Sequence, residues 1–220
     1  MFEQVNPLFP KKALISIAGT VGIGKTTFAT ALASQIGYDI SFEKVDGNPY
    51  LDDFYHDFKR WAFHLQIYFL AERFKEHKRI QMAPIGFVQD RSIYEDTDIF
   101  ALMHYEKGNM SKTDYETYKS LFEAMVLTPY FHKPDVLIYL DGSLDKIIKR
   151  IQERGRDMEK QTDISYWEEM YTRYSKWINE FTHCPVIKVH IDDYDIIKDP
   201  TSLEPIVRKI ADVIKNPSAV

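Results

Sequence analysis

The stretch from Gly19 to Thr26 constrains this chain more than any other, because it matches the pattern G-x-x-x-x-G-K-[ST] in full. Glycines let the backbone curl until successive N–H groups point inward at phosphate oxygens. The helix that follows directs the positive end of its dipole at the same place. An apolar strand before the loop and an amphipathic helix after it complete the context of a triphosphate-binding loop.

Two side chains of this loop have predicted tasks. Lys25 is expected to reach the β- and γ-phosphates, and the Thr26 hydroxyl is expected to reach Mg²⁺. The motif indicates a bound triphosphate but does not identify the reaction. The predicted ATP-binding residues of the loop are Gly19, Thr20, Val21, Gly22, Ile23, Gly24, Lys25, Thr26 and Thr27.

Short β-rich runs alternate with longer helical patterns along the chain. This alternation predicts an α/β fold with five parallel strands flanked by helices, in a single domain of residues 1–220. Strands covered on both faces are continuously apolar, as the fourth predicted strand is. The predicted strands are Ala13–Ala18, Ile40–Val45, Gly86–Asp90, Val136–Leu140 and Val186–Ile191. The predicted helices include Thr26–Ile36, Arg60–Ile80, Leu144–Arg154, Ser165–Phe181 and Leu203–Ile214.

Charge and cysteine content restrict the partners and the compartment. The formal net charge is −5, which argues against nucleic acid or an anionic membrane as a partner, since both favour a basic surface. No apolar run approaches the ~20 residues that cross a bilayer. Cys184 is the one cysteine, so an internal disulfide is impossible, and it is expected to be a buried small hydrophobe. These features favour a cytoplasmic protein.

Acidic residues follow the second and third predicted strands, at Glu43 and at Asp90–Arg91–Ser92. A carboxylate one strand away from the phosphate loop can hold Mg²⁺ or take the proton of an attacking hydroxyl. We therefore expect Asp90 to share a metal site with Thr26, and Arg91 to neutralise charge on the transferred group. The alternative is a solvated strand end at Glu43 and a helix cap at Asp90, and the phosphate loop favours the functional interpretation.

Arginines cluster after the fourth predicted strand. Arg150 and Arg154 lie four residues apart on one helix face, and Arg156 follows the hinge residue Gly155. Residues 150–160 are predicted to form a lid whose arginines reach the triphosphate and exclude water. A basic helix end stabilised by the helix dipole is the simpler alternative.

Several separated motifs, including the phosphate loop, Asp90–Arg91–Ser92 and the segment Tyr55–Tyr68, resemble those of the deoxynucleoside kinases in the same order. The resemblance covers about residues 12–215 and is closest to bacterial deoxyadenosine/deoxycytidine kinases. It implies a P-loop kinase three-layer fold, with ATP as phosphoryl donor and Mg²⁺ as cofactor. It also implies a homodimer. The aromatic-rich helix Tyr115–Phe131 is a candidate interface, with packing in the core as the alternative.

The same resemblance assigns roles to individual residues. Glu43 is the expected catalytic carboxylate, Tyr55 and Glu159 are expected to hold the sugar 3′-hydroxyl, and three further side chains are expected near the base. The implied catalytic residues are Glu43, Asp90, Arg91 and Lys25. The implied substrate-binding residues are Glu43, Tyr55, Gln66, Arg73, Asp90, Arg91, Asp96, Glu159, Phe63 and Phe100, and the lid arginines Arg150, Arg154 and Arg156 are assigned to ATP.

Elementary chemistry is consistent with the residues assigned to the base. Gln66 and Arg73 are two helical turns apart and so share one helix face. A buried glutamine offers both a donor and an acceptor, which suits the edge of adenine or cytosine. Phe63 and Phe100 are candidate walls for stacking the base.

The chain departs from the family pattern at two positions. Lys44 follows Glu43 where the family often has proline, and Asp90 stands where many members have glutamate. How Glu43 and Asp90 divide the base and metal roles therefore stays open.

The sequence predicts ATP-dependent phosphorylation of the 5′-hydroxyl of 2′-deoxynucleosides, with deoxyadenosine and deoxycytidine favoured and deoxyguanosine possible. One alternative is a nucleoside monophosphate kinase of the thymidylate kinase type, which would need arginines where Glu43 and Tyr55 stand. The other is a non-catalytic ATP-binding switch, which would need no acceptor pocket.

Overall fold

A parallel five-stranded sheet with helices on both sides forms the centre of the molecule. The computed structural model describes residues 5–217, and its strand order is β2-β3-β1-β4-β5. The strands are β1 Leu14–Ala18, β2 Asp39–Ser41, β3 Phe87–Asp90, β4 Val136–Asp141 and β5 Val186–His190.

The helices fill the connections between the strands. They are α1 Lys25–Ile36, α2 Leu51–His56, α3 Phe58–Met82, α4 Ile93–Glu95, α5 Leu102–Glu106, α6 Lys112–Val126, α7 Leu144–Arg154, α8 Asp157–Lys160, α9 Ile164–Glu180 and α10 Glu204–Lys215. A π-helical segment, Asp96–Ala101, joins α4 to α5, and short 3₁₀ turns cover Ile191–Asp193 and Pro200–Leu203.

The central strands are apolar because they are covered on both faces. Every residue of β1 is buried, and so is every residue of β4 except the last. The register pairs Ile17 of β1 with Asp90 of β3, and Ala18 with Tyr139 of β4. The carboxyl ends of β1 and β3 therefore meet at one edge of the sheet, where open α/β sheets bind their ligands.

The predicted fold class is confirmed, and four of the five predicted strands agree with the observed bounds to within one residue at each end. The exception is the second strand, which was expected to run over Ile40–Val45. Only Asp39–Ser41 pairs with β3, because the chain then turns back at Glu43, whose carbonyl accepts from the Val45 N–H at 3.0 Å. Helix α6 also ends earlier than expected, at Val126 instead of Phe131.

No helix within residues 5–217 is both long enough and apolar enough to span a bilayer.

Two buried histidines give the folded chain a predicted sensitivity to acid. The rings of His77 and His104 are almost fully buried, and burial lowers the pKa of each from 6.5 to about 4. The folded state thus binds fewer protons than the unfolded state between these values. The stabilising contribution is complete above pH 6.5 and is lost as the pH falls from 6.5 to 4, by about 3 kcal/mol per histidine.

We expect the free energy of unfolding of His77→Leu to fall less than that of wild type as the pH drops from 6.5 to 4. Leucine is tolerated there because neither ring nitrogen of His77 has a hydrogen-bond partner among the described residues and its ring packs on Phe131. Urea unfolding between pH 4 and 7 measures the effect, with His56→Leu at an exposed position as the matched control. An equally steep acid dependence in His77→Leu and wild type would contradict the assignment.

Candidate active site

The phosphate loop joins β1 to α1 and is shaped by glycines in left-handed conformations. Gly22 has φ 81°, and a Cβ added there would lie 2.6 Å from the Ile151 side chain of α7. Gly19 has φ 147°, and its Cβ would lie 2.7 Å from the Leu140 carbonyl oxygen. Other residues are therefore excluded at both positions by backbone strain and by lack of space.

Lys25 is folded across this loop. Its Nζ donates to the carbonyl oxygens of Gly19 at 2.9 Å and Thr20 at 3.0 Å. Burial, together with the Arg91 charge, lowers the pKa of Lys25 to about 8, against the opposing influence of nearby carboxylates. The ammonium group is therefore still charged at neutral pH, and it is held at the position where phosphate oxygens would enter the loop.

Thr26 and Asp90 face each other across the gap between α1 and β3. The Thr26 hydroxyl donates to Asp90 Oδ2 at 2.6 Å, while the buried Oδ1 of Asp90 has no hydrogen-bond partner among the described residues. Mg²⁺ prefers oxygen ligands and usually keeps several waters beside one or two carboxylates. A hydroxyl beside a carboxylate with a spare buried oxygen fits that preference.

Glu43 lies in the loop after β2, between two arginines. Its Oε1 accepts from Arg73 Nη2 at 2.9 Å and forms an ion pair with Arg91 Nε at 2.6 Å. Burial by itself would raise the pKa of Glu43. The charges of Arg91, Arg73 and Lys25 outweigh that effect and hold the pKa at about 2, so the carboxylate is ionised at neutral pH.

Arg91 follows β3 in a strained conformation. Its φ of 71° is positive, which is unusual for a residue other than glycine and is typical of functional sites. The backbone is held there because the Arg91 N–H donates to the Ile17 carbonyl at 2.9 Å and Arg73 Nη1 donates to the Arg91 carbonyl at 3.2 Å. The guanidinium lies 4.8 Å from the centre of the Phe100 ring.

Arg73 and Asp96 form a buried pair behind Glu43. Arg73 Nε donates to Asp96 Oδ2, and burial raises the pKa of Asp96 to about 6 although Arg73 opposes the shift. Asp96 is the first residue of the π-helical segment, a local widening that occurs most often at functional sites. The pair holds the Arg73 guanidinium against Glu43.

A cavity of about 460 Å³ connects the phosphate loop to these groups. Its size and mixed polar and apolar lining suit a small organic ligand together with part of a second one. Gln66 lies in its wall, 2% exposed, and its Oε1 has no hydrogen-bond partner among the described residues. The sequence-predicted residues that line the cavity are Val21, Gly22, Gly24, Lys25, Thr26, Thr27, Glu43, Tyr55, Gln66, Asp90, Arg91, Asp96, Phe100, Arg150, Arg154, Arg156 and Glu159.

Phe63, expected as a stacking wall, is not among the residues that line this cavity. Phe63 lies one turn before Gln66 on α3 and packs partly buried against the core, whereas Phe69, one turn after Gln66, reaches the cavity. Helical spacing alone allows both positions, because each lies three residues from Gln66.

Four other predicted residues lie outside the lining. Arg73 stands behind Glu43. Gly19 shapes the phosphate loop, and within the loop the Thr20 carbonyl accepts from the N–H of Ile23, whose side chain is buried.

Two of the three lid arginines, Arg154 and Arg156, bind Glu159 in this structure. Arg154 Nη2 donates to Glu159 Oε1 at 2.6 Å, and Arg156 Nη1 donates to the same oxygen at 3.2 Å. Arg150 instead donates to the Ile23 carbonyl of the phosphate loop at 3.2 Å. Gly155 ends α7 with φ 82°, so Arg150 and Arg154 lie on the helix and Arg156 lies beyond it. Tyr55 lies nearby, and burial, with a contribution from Glu159, raises the pKa of its phenol, so it keeps its proton.

Sequence reasoning missed several residues of the wall, which share an apolar or aromatic character. They are Phe42, Val45, Leu51, Phe54, Leu65, Phe69 and Tyr166, together with the acidic Asp46. The aromatic density between Tyr50 and Phe74 could have indicated the four that fall in this stretch, Leu51, Phe54, Leu65 and Phe69, but core residues have the same composition. No sequence signal indicated the other four.

Comparison with known proteins gives consistent results. A family model for deoxynucleoside kinases matches residues 15–215. A deoxyadenosine/deoxycytidine kinase of Bacillus subtilis (strain 168) is 64% identical over 205 residues, which cover 93% of this chain and 94% of that protein. A deoxyadenosine kinase of Dictyostelium discoideum is 38% identical over 88% of this chain and 77% of its own length.

The fold is also similar to solved structures. A deoxyadenosine kinase from M. mycoides with bound dATP has a TM-score of 0.78 and 33% identity, over 90% of this chain and 98% of that one. The same kinase with the products dCMP and a flexible dCDP has a TM-score of 0.77 and 32% identity, over 90% and 99% of the two chains.

Proposed function

This chain belongs to the deoxynucleoside kinase family, and from that premise we propose that it transfers the terminal phosphoryl group of ATP to the 5′-hydroxyl of deoxyadenosine and deoxycytidine. One observation carries the proposal. An ionised carboxylate, Glu43, stands between two buried arginines in the same cavity as a complete phosphate loop. A phosphoryl donor and an alcohol can meet there.

The donor side is formed by the phosphate loop and α1. Backbone N–H groups of the loop and the positive end of α1 attract the β- and γ-phosphates, and Lys25 exchanges its two carbonyl contacts for phosphate oxygens. Thr26 and Asp90 would hold Mg²⁺, which neutralises phosphate charge when bound. Arg91 pairs with Glu43, the proposed partner of the acceptor hydroxyl. Its guanidinium would therefore contact the phosphoryl group as this group moves toward the acceptor.

The acceptor side needs a group that orients the alcohol. Glu43 is ionised and accepts a hydrogen bond from the 5′-hydroxyl in our proposal, then takes its proton as the new O–P bond forms. A pKa of about 2 describes a weak base. The negative charges of a bound triphosphate offset the arginines and raise that pKa, so binding of ATP makes Glu43 a stronger base.

Sugar and base contacts follow from the rest of the wall. Tyr55, whose phenol stays protonated, and Glu159 are proposed to hold the 3′-hydroxyl. Gln66 offers its unpaired oxygen and its amide N–H to the base edge, with Phe100 as the stacking surface. An amide that is both donor and acceptor matches the amino group and ring nitrogen of adenine or cytosine. The relatives named above, a deoxyadenosine/deoxycytidine kinase and a deoxyadenosine kinase, support this choice.

The acceptor end argues against a monophosphate kinase of the thymidylate kinase type. Glu43, the proposed partner of the acceptor hydroxyl, is a carboxylate in the cavity that would lie beside the phosphate of such an acceptor and repel it. A non-catalytic switch is disfavoured because the cavity has room for an acceptor beside the phosphate loop.

Two further properties belong to the proposal. Exposed apolar side chains on α6 and just beyond its end, namely Leu121, Leu127 and Tyr130, support a homodimer, and a mass measurement in solution tests it. A cytoplasmic location is supported by the need for ATP and by the single, unpaired cysteine.

The function is tested by incubating each of the eight common nucleosides and deoxynucleosides with ATP and measuring turnover as the release of ADP. We expect turnover to be highest with deoxyadenosine and deoxycytidine and absent with deoxyadenosine monophosphate. Gln66→Leu removes the polar edge, and since an unpaired base edge costs ~1–3 kcal/mol, we expect kcat/KM for deoxyadenosine to fall by about 5- to 150-fold.

Gln152→Leu, at an exposed position of α7, is the matched control. Turnover of the monophosphate in place of deoxyadenosine would contradict the acceptor assignment, and an unchanged base preference in Gln66→Leu would contradict the role of Gln66.

A further inference from the structure

Arg91 makes contacts on two opposite sides, and the proposed chemistry uses only one of them. On one side lies Glu43, which must engage the 5′-hydroxyl. On the other side Arg91 Nη1 donates to the Tyr174 hydroxyl at 2.5 Å, and Glu95 Oε1 lies 3.6 Å from the same nitrogen. The Arg91 side chain is 4% exposed, so protein groups rather than water determine its orientation.

Tyr174 connects Arg91 to a second buried carboxylate. The Tyr174 hydroxyl donates to Glu95 Oε1 at 2.8 Å while it accepts from Arg91, which uses both functions of a phenol. Burial raises the pKa of Tyr174 well above its usual value, and Glu95 adds to the shift although Arg91 opposes it. The phenol therefore keeps the proton that it donates.

Glu95 is itself fixed by backbone groups. Its Oε2 accepts from the Ser92 N–H at 2.6 Å in the capping box that begins α4, and its Oε1 accepts from the Gly19 N–H at 3.3 Å. One carboxylate with 0% exposure thus joins the start of the phosphate loop, the end of β3 and, through Tyr174, helix α9.

Glu43 cannot be the lasting support of Arg91. Its Oε1 pairs with both Arg73 and Arg91, and the carboxylate loses its negative charge when it takes a proton from the alcohol. Arg91 then needs a second support that does not change during the reaction. Tyr174 and Glu95 have that property, since neither lines the cavity.

We propose that Glu95 and Tyr174 are positioning residues that hold the Arg91 guanidinium toward the transferred phosphoryl group while Glu43 acts on the hydroxyl. The inference rests on the proposed function and adds two residues to it. Both lie outside the cavity, on α4 and α9, and neither touches the substrate in this assignment.

Tyr174→Phe tests the proposal because it removes one oxygen and keeps the buried ring. We expect kcat to fall by about 10-fold or more, while KM for ATP and for deoxyadenosine changes by less than about threefold. Tyr171→Phe, one turn earlier on α9 with its hydroxyl on Asp141, is the matched control with unchanged kcat. Each kcat is normalised to the sites that bind ATP, so a partly unfolded sample does not imitate the effect.

A double-mutant cycle with Arg91→Lys separates positioning from general packing. If Tyr174 acts through Arg91, Tyr174→Phe costs little further activity in the Arg91→Lys background, since the lysine cannot reproduce the guanidinium contact. Glu95→Gln, which keeps an acceptor but removes the charge, is expected to lower kcat in the same way.

The inference is overturned if Tyr174→Phe and Glu95→Gln both retain wild-type kcat, or if Tyr174→Phe costs the same factor with Arg91 present and replaced. These results leave the proposed function intact. A wild-type protein that turns over no deoxynucleoside contradicts the function instead, so the two failures are distinguishable.

Discussion

Glu43→Ala is expected to lower kcat for deoxyadenosine by about 10²–10⁴-fold, the usual value of general-base assistance. The affinity for ATP should change little, because the hydrogen bonds and ion pairs of Glu43 within the described part of the chain go to Arg73 and Arg91 and not to the phosphate loop. Single-turnover kinetics with ATP bound measures the chemical step separately from binding.

Two further variants sharpen this experiment. Glu43→Asp keeps the negative charge but moves the carboxylate away from the 5′-hydroxyl by the length of one methylene. We therefore expect an activity between those of wild type and Glu43→Ala. Glu123→Ala, at an exposed site on α6, controls for the loss of a surface carboxylate. Full turnover by Glu43→Ala would show that another group accepts the proton, and Asp90 would then be the first candidate.

Lys25→Met is expected to lower kcat/KM for ATP by about 10²–10³-fold, the scale seen when one preorganised donor is removed from a transition state. Stability should not fall in parallel. Burial lowers the pKa of Lys25 to about 8, which means that the fold bears a cost for keeping the ammonium charged there. An apolar side chain of similar length removes that cost.

Thermal unfolding and ATP titration of the same sample distinguish these two effects. Lys12→Met, whose exposed Nζ donates to the Gln81 carbonyl at 2.6 Å, is the matched control. A loss of folded protein in Lys25→Met, or ATP turnover equal to that of wild type, would contradict the assignment of Lys25.

Burial on both faces made most of the sheet predictable. β1 and β4 are continuously apolar because helices cover them on both sides, and their bounds follow from that pattern. β2 pairs only with β3 at the edge of the sheet, so its length depends on one neighbour and on the turn at Glu43. Two further apolar residues, Phe42 and Val45, follow Ser41 and face the cavity, and their presence made the strand seem longer.

The site was predictable where function is local in the sequence. The phosphate loop and the triplet Asp90–Arg91–Ser92 carry their chemistry in adjacent residues. Contacts between distant residues had no comparable signal. Tyr174 and Glu95 are 79 residues apart, and the aromatic sequence of α9 is equally typical of ordinary core packing. Family resemblance indicated Arg73 and Asp96, but only the structure shows that Arg73, held by Asp96, donates to Glu43.

The close approach of Gly22 to Ile151 has a practical consequence for chimeric enzymes. Helix α7 rests on the phosphate loop there, and Arg150 adds a hydrogen bond to Ile23. A segment transplanted from a relative and joined at the end of β4 would replace both Ile151 and Arg150. The phosphate loop would lose both contacts with α7 and would be disturbed. A junction after Ile151 keeps both native contacts and exchanges the end of α7 from Gln152 onward, Gly155, Arg156 and the short helix α8, which makes that stretch the natural unit to exchange.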